Sequence, residues 1–229
     1  MKRKKLIIVV LSVLIILELL VFATFAASGR VYIFTFTWPD ANTRAAGNNT
    51  VLSHLWDMGY DAGEYLNNDA PAGYSVLPSA KIWVAVTHAE PGCLVMGSSR
   101  NVSYIYAYNS VTGDNRSISN LSSTALSNLR LIMYVGCETG LTSVMYGNLV
   151  HATSEKGAQC VVGWNESIAV APSANWVRLL FEKADEEHDV LWECFNHADY
   201  WVADIFGQSY ANQMQNRHEA GNISQYLHN

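Results

Sequence analysis

The sequence predicts an α/β fold, a three-layer α/β/α sandwich with a mostly parallel central sheet. Two observations support this prediction. Short apolar runs rich in β-branched side chains recur along the chain, and such runs are typical of strands that are buried on both faces. Longer segments with apolar residues at helical spacing alternate with these runs. This alternation indicates parallel strands joined by helices, so we expect the sheet to be covered on both faces.

The first half of the folded part contains two of the predicted strands. Residues 30–37 form a run of aromatic and β-branched side chains, and residues 81–87 form a second such run. Between them, residues 51–66 repeat apolar side chains at helical spacing, which favours an amphipathic helix. Residues 67–78 contain two prolines and a glycine and are expected to form a loop.

The middle of the chain contains a predicted hairpin and a third strand. Residues 94–96 and 102–108 alternate in polarity around a polar turn, which indicates a hairpin at the edge of the sheet. Residues 122–126 offer capping hydroxyls and are expected to start a short helix. Residues 129–135 are almost entirely apolar and too few for a helix of their own, so they predict a buried strand.

The last third is expected to be mostly helical. Residues 143–156 predict a helix, residues 158–164 a fourth buried strand, and residues 175–187 and 189–206 two further helices. The aromatic stripes of the last two helices are expected to face the core. Residues 208–229 are polar and are predicted to be a loosely held tail.

The first 26 residues are predicted to lie outside the domain, which would occupy residues 27–207. Four basic residues precede an apolar segment at residues 6–26, which is long enough for a cleaved signal peptide or a membrane anchor. Glu18 inside this segment favours cleavage. In both cases the basic start stays cytoplasmic, so we expect an exported domain, secreted or attached to the membrane through residues 6–26.

Composition narrows the choice of partners. After residue 26 the chain has 10 basic and 19 acidic residues, a net charge of −9 without a basic stripe, so nucleic acid is not an expected partner. Cysteines occur at four positions, Cys93, Cys137, Cys160 and Cys194. Their spacing fits neither a metal site nor a disulfide scaffold, and no cofactor is predicted. A bridge between Cys160 and Cys194 remains open.

Polar residues follow two of the predicted strands at the point where each strand ends. Cys137 comes after residues 129–135, and His88 comes directly after residues 81–87, 49 residues earlier. In an open α/β sheet, reactive groups belong beyond the carboxyl ends of the strands. A buried structural thiol would fit better inside the apolar run than beside Glu138 and Thr139. We therefore expect His88 and Cys137 to meet at one edge, where an imidazole can support a thiolate nucleophile.

This pattern resembles the caspase-like cysteine peptidases of clan CD, in which one hydrophobic block ends in His and a second ends in Gly-Cys. The segment Gly-Cys-Glu-Thr-Gly at residues 136–140, with residues 157–163 downstream, is similar to the CHAT-domain subgroup. The resemblance covers roughly residues 51–207. It implies a caspase-like three-layer fold and a cysteine endopeptidase that cleaves peptide or protein substrates through a thioester intermediate.

The resemblance also implies roles for individual residues. Cys137 would attack the scissile carbonyl, and His88 would protonate the leaving amine. The backbone N–H groups of Cys137 and Ala89 would form the oxyanion hole. The family usually has glycine where this chain has Ala89.

The remaining candidates are acidic. Glu90, Asp57 and Asp61 are candidates for the wall of the substrate cleft, where a carboxylate would favour a basic side chain before the scissile bond. Glu138 is another cleft candidate, and its carboxylate could order the turn by accepting bonds from turn amides.

Two alternatives remain open for the function. One is a catalytically silent binding domain on the same scaffold, which the alanine at position 89 favours. The other is an unrelated flavodoxin-like binder. That reading requires a phosphate-binding glycine loop after the first strand, and no such loop follows residue 37.

Overall fold

The structure, a computed structural model, describes residues 29–37, 41–109 and 116–228. The apolar segment at residues 6–26 lies outside these ranges, so its assignment as signal or anchor stays a prediction. Within the described ranges, no helix has the length and apolar character needed to span a bilayer.

Nine strands in the described residues form two sheets. They are β1 (Arg30–Thr35), β2 (Asp61–Leu66), β3 (Ala80–Val86), β4 (Ala89–Glu90), β5 (Cys93–Ser98), β6 (Asn101–Tyr106), β7 (Leu131–Val135), β8 (Cys160–Trp164) and β9 (Arg217–Gly221). The central sheet has the order β2-β1-β3-β7-β8-β9, in which only β9 is antiparallel to its neighbour. The small second sheet is antiparallel, with the order β4-β5-β6. The predicted α/β class with a mostly parallel sheet is therefore confirmed.

Helices cover one face of the central sheet, and helices together with the small sheet cover the other. The α-helices are α1 (Asn49–Asp57), α2 (Ala70–Val76), α3 (Leu149–Ser154), α4 (Val170–Glu186), α5 (Leu191–Phe206) and α6 (Gln208–Gln215). Because successive side chains of a strand point to opposite faces, Val84 packs towards α1, α4 and α5, whereas Trp83 packs towards the small sheet, α2 and α3. This arrangement gives the three layers.

The helix expected at residues 51–66 is only half correct. Helix α1 ends at Asp57, and Gly59 adopts a left-handed conformation (φ +85°) that reverses the chain into strand β2. Strand β2 pairs with β1 only and lies at the edge of the sheet, so its side chains do not show the fully apolar pattern of the central strands. The segment expected to be a loop at residues 67–78 contains α2. The Asp69 carboxylate caps the start of this helix by accepting a 3.1 Å hydrogen bond from the Ala72 amide.

Two helix predictions between the strands also need correction. Residues 122–126 form turns rather than a helix. Helix α3 begins at Leu149 and not at 143, because Ser143 and Gly147 close a tight loop through two backbone hydrogen bonds of 2.7 and 2.9 Å.

The polar carboxyl-terminal segment is part of the fold, so the predicted loose tail is wrong. Residues 208–215 form α6, and β9 adds the last strand to the central sheet. Further along, Leu227 is buried, and its carbonyl accepts a 2.5 Å hydrogen bond from the Tyr60 hydroxyl. A polar edge strand carries no apolar run, which is why its sequence resembles a tail.

Two other expectations are correct in part. The hairpin exists as β5 and β6, but it belongs to the separate small sheet and not to the edge of the central one. On α4 and α5, Trp176 and Phe195 are buried as expected, whereas Trp192, Trp201 and Ile205 are 43%, 40% and 51% exposed.

Candidate functional site

Strands β3 and β7 deliver His88 and Cys137 to the same edge of the sheet. The two strands are parallel neighbours, and Val86 is in register with Val135. His88 and Cys137 each follow that pair by two residues. Both side chains line one small cleft, together with Ile168 from the loop after β8. His88 is exposed there and Cys137 is partly buried, so the predicted meeting of these residues at one rim agrees with the structure.

The backbone on either side of this pair is in close contact at Gly136. A Cβ atom at Gly136 would lie 2.7 Å from the Thr87 carbonyl oxygen and 2.8 Å from the Ala89 Cβ. The residues that flank His88 thus pack directly against the residue that precedes Cys137. Only glycine permits this approach, which explains the Gly-Cys sequence in physical terms.

The small sheet holds the end of β3 in place. The Thr87 hydroxyl donates a 2.6 Å hydrogen bond to the Val95 carbonyl, and the Val95 amide donates a 2.9 Å bond to the His88 carbonyl. On the other side, the Thr87 amide donates to the Val135 carbonyl at 3.0 Å. The backbone of His88 is therefore fixed from both sheets, and the hairpin supports the site.

The turn after Cys137 is strained and tightly held. Glu138 has a left-handed conformation (φ +60°), which is uncommon for a residue with a side chain. Its amide donates to the Glu166 carbonyl at 3.0 Å. The buried Thr139 hydroxyl donates to the Tyr134 carbonyl (2.7 Å) and accepts from the Trp164 amide (2.9 Å), which joins the turn to β8. These contacts stabilise the conformation that presents the thiol.

Two residues that the sequence reasoning missed complete this turn. The Gly140 carbonyl accepts a 2.6 Å hydrogen bond from the Asn148 side chain, and His218 Nδ1 lies 3.0 Å from the same oxygen. Asn148 also caps α3 by accepting from the His151 amide (2.9 Å), so its position before a helix is a signal that the sequence did contain. His218 lies on β9, far away in sequence, and carried no such signal.

Two backbone amides at the rim have no acceptor in the described part of the chain. His88 and Val95 are a hydrogen-bonded pair in the antiparallel ladder, so the next amide, that of Ala89, points away from β5. The Cys137 amide also donates to no group that the structure describes, although the amides of Gly136 and Glu138 on either side of it do. Ala89 lies in the extended strand β4 and not in a left-handed conformation, so alanine is accommodated there without backbone strain.

Comparisons with known proteins place this geometry in context. No family model matches the sequence, and no curated protein matches it. Among solved structures, the chain is similar to the Arg-specific cysteine proteinase gingipain R (RgpB), with 10% sequence identity and a TM-score of 0.62 over 86% of this chain and 47% of that chain. A complex of the Porphyromonas gingivalis RgpB pro- and mature domains matches with 9% identity, a TM-score of 0.63, 87% of this chain and 49% of the other. Caspase-1 from Spodoptera frugiperda matches with 12% identity, a TM-score of 0.50, 85% of this chain and 86% of the other.

The chain has a caspase-like fold. It spans about half the length of the gingipain chains that it matches. The narrower resemblance to the CHAT-domain subgroup stays a prediction.

Within this caspase-like fold, Cys137 differs from the other three cysteines. Burial raises the pKa of each of the other thiols to about 12, at Cys93, Cys160 and Cys194. None of the four forms a disulfide, so the open question of a Cys160–Cys194 bridge is answered in the negative. The Cys137 sulfur lies 3.8 Å from the Ile168 carbonyl oxygen, at the floor of the cleft.

We predict that iodoacetamide at about pH 8 modifies the folded protein at Cys137 alone, because only a thiolate reacts and the three buried thiols stay protonated. Mass spectrometry of the intact protein should show one adduct when folded and four after unfolding in guanidinium chloride, since the chain has four cysteines. A folded protein that gains two or more adducts at the same rate would contradict the difference in burial.

The acidic candidates are distributed differently from the sequence expectation. Asp61 begins β2 and pairs with Arg30 at 2.9 Å, and Asp57 ends α1 just before it. Both therefore lie at the amino ends of the parallel strands, whereas the cleft lies at their carboxyl ends. The expectation that they line the cleft is wrong, because residues 61–66 are a strand and not the end of a helix. Glu90 lies beside His88, in a second depression. Glu138 orders the turn through its backbone, whose carbonyl accepts from Leu141 at 3.0 Å, and its carboxylate makes no hydrogen bond within the described residues.

The described residues contain no group of three or more His, Cys, Asp or Glu side chains that could hold a metal ion. At the cleft the structure places the His88 imidazole and the Cys137 thiol.

Proposed function

We propose that the chain is a cysteine endopeptidase that uses His88 and Cys137. The observation that carries this proposal is the register of β3 and β7, which places an imidazole and a thiol at equal distances beyond one residue pair, at the mouth of one cleft. The caspase-like fold supports it, because the similar structures named above are cysteine peptidases.

The proposed reaction proceeds in two steps. The Cys137 sulfur attacks the scissile carbonyl carbon while its proton passes to the His88 imidazole. The C–N bond then breaks, His88 gives the proton to the leaving amine, and a thioester remains on Cys137. Water attacks the thioester, His88 takes a proton from that water and returns it to the sulfur, and the carboxylic acid is released.

The amides of Ala89 and Cys137 are the proposed oxyanion donors. The Ala89 amide points away from β5, the Cys137 amide donates to no group among the described residues, and a backbone N–H donates equally well from alanine and from glycine. The extended conformation of Ala89 removes the physical objection to alanine at this position. It also weakens the alternative of a silent binding domain, which rested on that residue.

The proposed substrate is a peptide or protein. Val86, Val135, Ile168 and Val170 give the cleft beside Cys137 apolar walls that suit an extended peptide. The gingipain relative is described as Arg-specific, and a similar separase structure is a complex with securin, so proteins with this fold do act on or bind other proteins. We further propose that the domain is exported, either secreted or attached to the membrane through residues 6–26.

A thiol-directed peptidyl electrophile, such as a peptidyl acyloxymethyl ketone, tests the peptidase proposal. We expect rapid modification of Cys137 that is lost in His88→Ala, because the imidazole promotes formation of the thiolate. The matched control is His151→Ala, since His151 is exposed on α3, where it pairs with Glu155 at 3.1 Å. Slow modification that is the same in both variants and the unmodified protein would favour the silent binding domain.

A further inference from the structure

A second depression adjoins the cleft on the far side of His88. It has a volume of about 340 Å³, near the lower end of the ~300–1,000 Å³ typical of ligand sites. Its walls are His88, Ala89, Glu90, Val95, Val102 and Tyr104. The two depressions share His88, whereas Cys137 lines only the first.

The small sheet builds this surface by cross-strand pairing. Val95 is hydrogen-bonded to His88 through its amide and is directly opposite Tyr104 on β6, so the three residues form a row across the sheet. Val102 and Tyr104 alternate with the buried Ser103 and Ile105, and they are 37% and 38% exposed. The row therefore continues from the imidazole as a partly apolar, outward-facing floor.

The position of His88 between the two depressions determines which side of a substrate each can hold. In the proposed reaction the imidazole gives its proton to the leaving amine, so the leaving fragment must extend from His88 away from Cys137. The second depression is lined by His88 and not by Cys137, so it lies on that side of the imidazole. We infer that it binds the residues that follow the scissile bond. This inference rests on the proposed peptidase function.

The chemistry of the walls indicates the preferred residue. Val95, Val102 and Tyr104 can cover an aliphatic stem or an aromatic ring. Glu90 is exposed at the rim, and its carboxylate forms no ion pair or hydrogen bond within the described residues. A lysine or arginine places an aliphatic stem on the floor and a cation at Glu90, so the leaving fragment is expected to carry a basic residue next to the scissile bond or one position further on.

Two kinds of substrate with the same acyl sequence test this inference. One is a peptidyl aminocoumarin amide, which has no residues after the scissile bond. The others are internally quenched peptides with Lys, Ala or Glu at the first and then the second position after that bond. We expect kcat/KM to follow the order Lys, Ala, Glu at one of the two positions.

Each variant is assessed by the ratio of kcat/KM for a peptide to kcat/KM for the aminocoumarin amide, so that a general loss of activity does not change the result. Glu90→Gln should lower the kcat/KM ratio of the Lys peptide to the aminocoumarin amide about two- to fivefold, the range expected for one exposed ion pair. Tyr104→Ala should lower the kcat/KM ratio of each of the three peptides to the aminocoumarin amide, because Tyr104 lines the second depression. Asp204→Asn, at an exposed acid on α5, is the matched control and should leave the kcat/KM ratios of all three peptides to the aminocoumarin amide unchanged.

The outcomes separate the two proposals. The leaving-side assignment is wrong if the unmodified protein cleaves the aminocoumarin amide but shows no preference among the peptides. It is also wrong if Glu90→Gln and Tyr104→Ala leave the kcat/KM ratios of the peptides to the aminocoumarin amide unchanged. In both cases the peptidase function stands. If the protein cleaves none of these substrates, the peptidase proposal fails and this inference fails with it.

Discussion

His88→Ala is expected to lower kcat/KM for a peptide amide about 10²- to 10⁴-fold, the usual contribution of one acid–base group. An amine is a poor leaving group unless it is protonated, and His88 is the ionisable side chain that lines the cleft together with Cys137. Cys137→Ala should abolish turnover, because no thioester can form.

An ester substrate with the same acyl sequence makes the test specific for proton transfer. A nitrophenolate leaves without a proton, so His88→Ala should lose less activity towards a nitrophenyl ester than towards the amide. His151→Ala is again the control and should keep full activity on both. An equal loss on ester and amide would show that His88 acts on the thiol alone. Turnover retained in Cys137→Ala would contradict the mechanism.

The central strands and the residues that follow them could be predicted because burial leaves a strong signal in the sequence. Strands β3, β7 and β8 are buried on both faces and therefore read as unbroken apolar runs. A parallel sheet aligns the carboxyl ends of its strands, so the end of each run indicates where a reactive side chain lies. His88 and Cys137 followed from these two facts.

The edge of the sheet and the supports of the site could not be predicted in the same way. Edge strands β2 and β9 have one partner each and mixed polarity, which made one look like a helix and the other like a tail. His218 meets the Gly140 carbonyl, 78 residues away in sequence, only because β9 is brought beside the Cys137 turn in space. Contacts between residues so distant in sequence have no spacing rule that a single sequence can show.

A buried ion pair connects the helical layer to β9. The Asp199 and Arg217 side chains are 5% and 10% exposed, and their charged groups are 2.9 Å apart. Asp199 also accepts a 2.7 Å hydrogen bond from the Trp176 indole, and the Arg217 guanidinium lies over the Phe195 ring at 5.0 Å. Burial raises the pKa of Asp199 although the arginine opposes this shift, so removal from water is the larger effect.

Asp199→Ala is expected to reduce the free energy of unfolding by about 1.5–3 kcal/mol, because the buried Arg217 guanidinium and the Trp176 indole lose their charged acceptor while Arg217 keeps its ion pair with Glu219. Guanidinium chloride unfolding followed by tryptophan fluorescence would measure the change. The control is Asp61→Ala, which breaks the exposed pair with Arg30 and should cost less than about 1 kcal/mol.

The double variant Asp199→Ala with Arg217→Met separates the penalty of a buried charge that has lost Asp199 from the loss of the attraction between the two residues. Methionine keeps apolar volume against Trp176 and Phe195 without a charge, so the double variant should be more stable than Asp199→Ala alone. A double variant that is less stable than either single variant would show that the Arg217 charge stabilises the fold through contacts other than Asp199, namely Glu219 and the rings of Trp176 and Phe195. In that case β9, and with it His218 beside the Cys137 turn, would be held in place by charge rather than by packing.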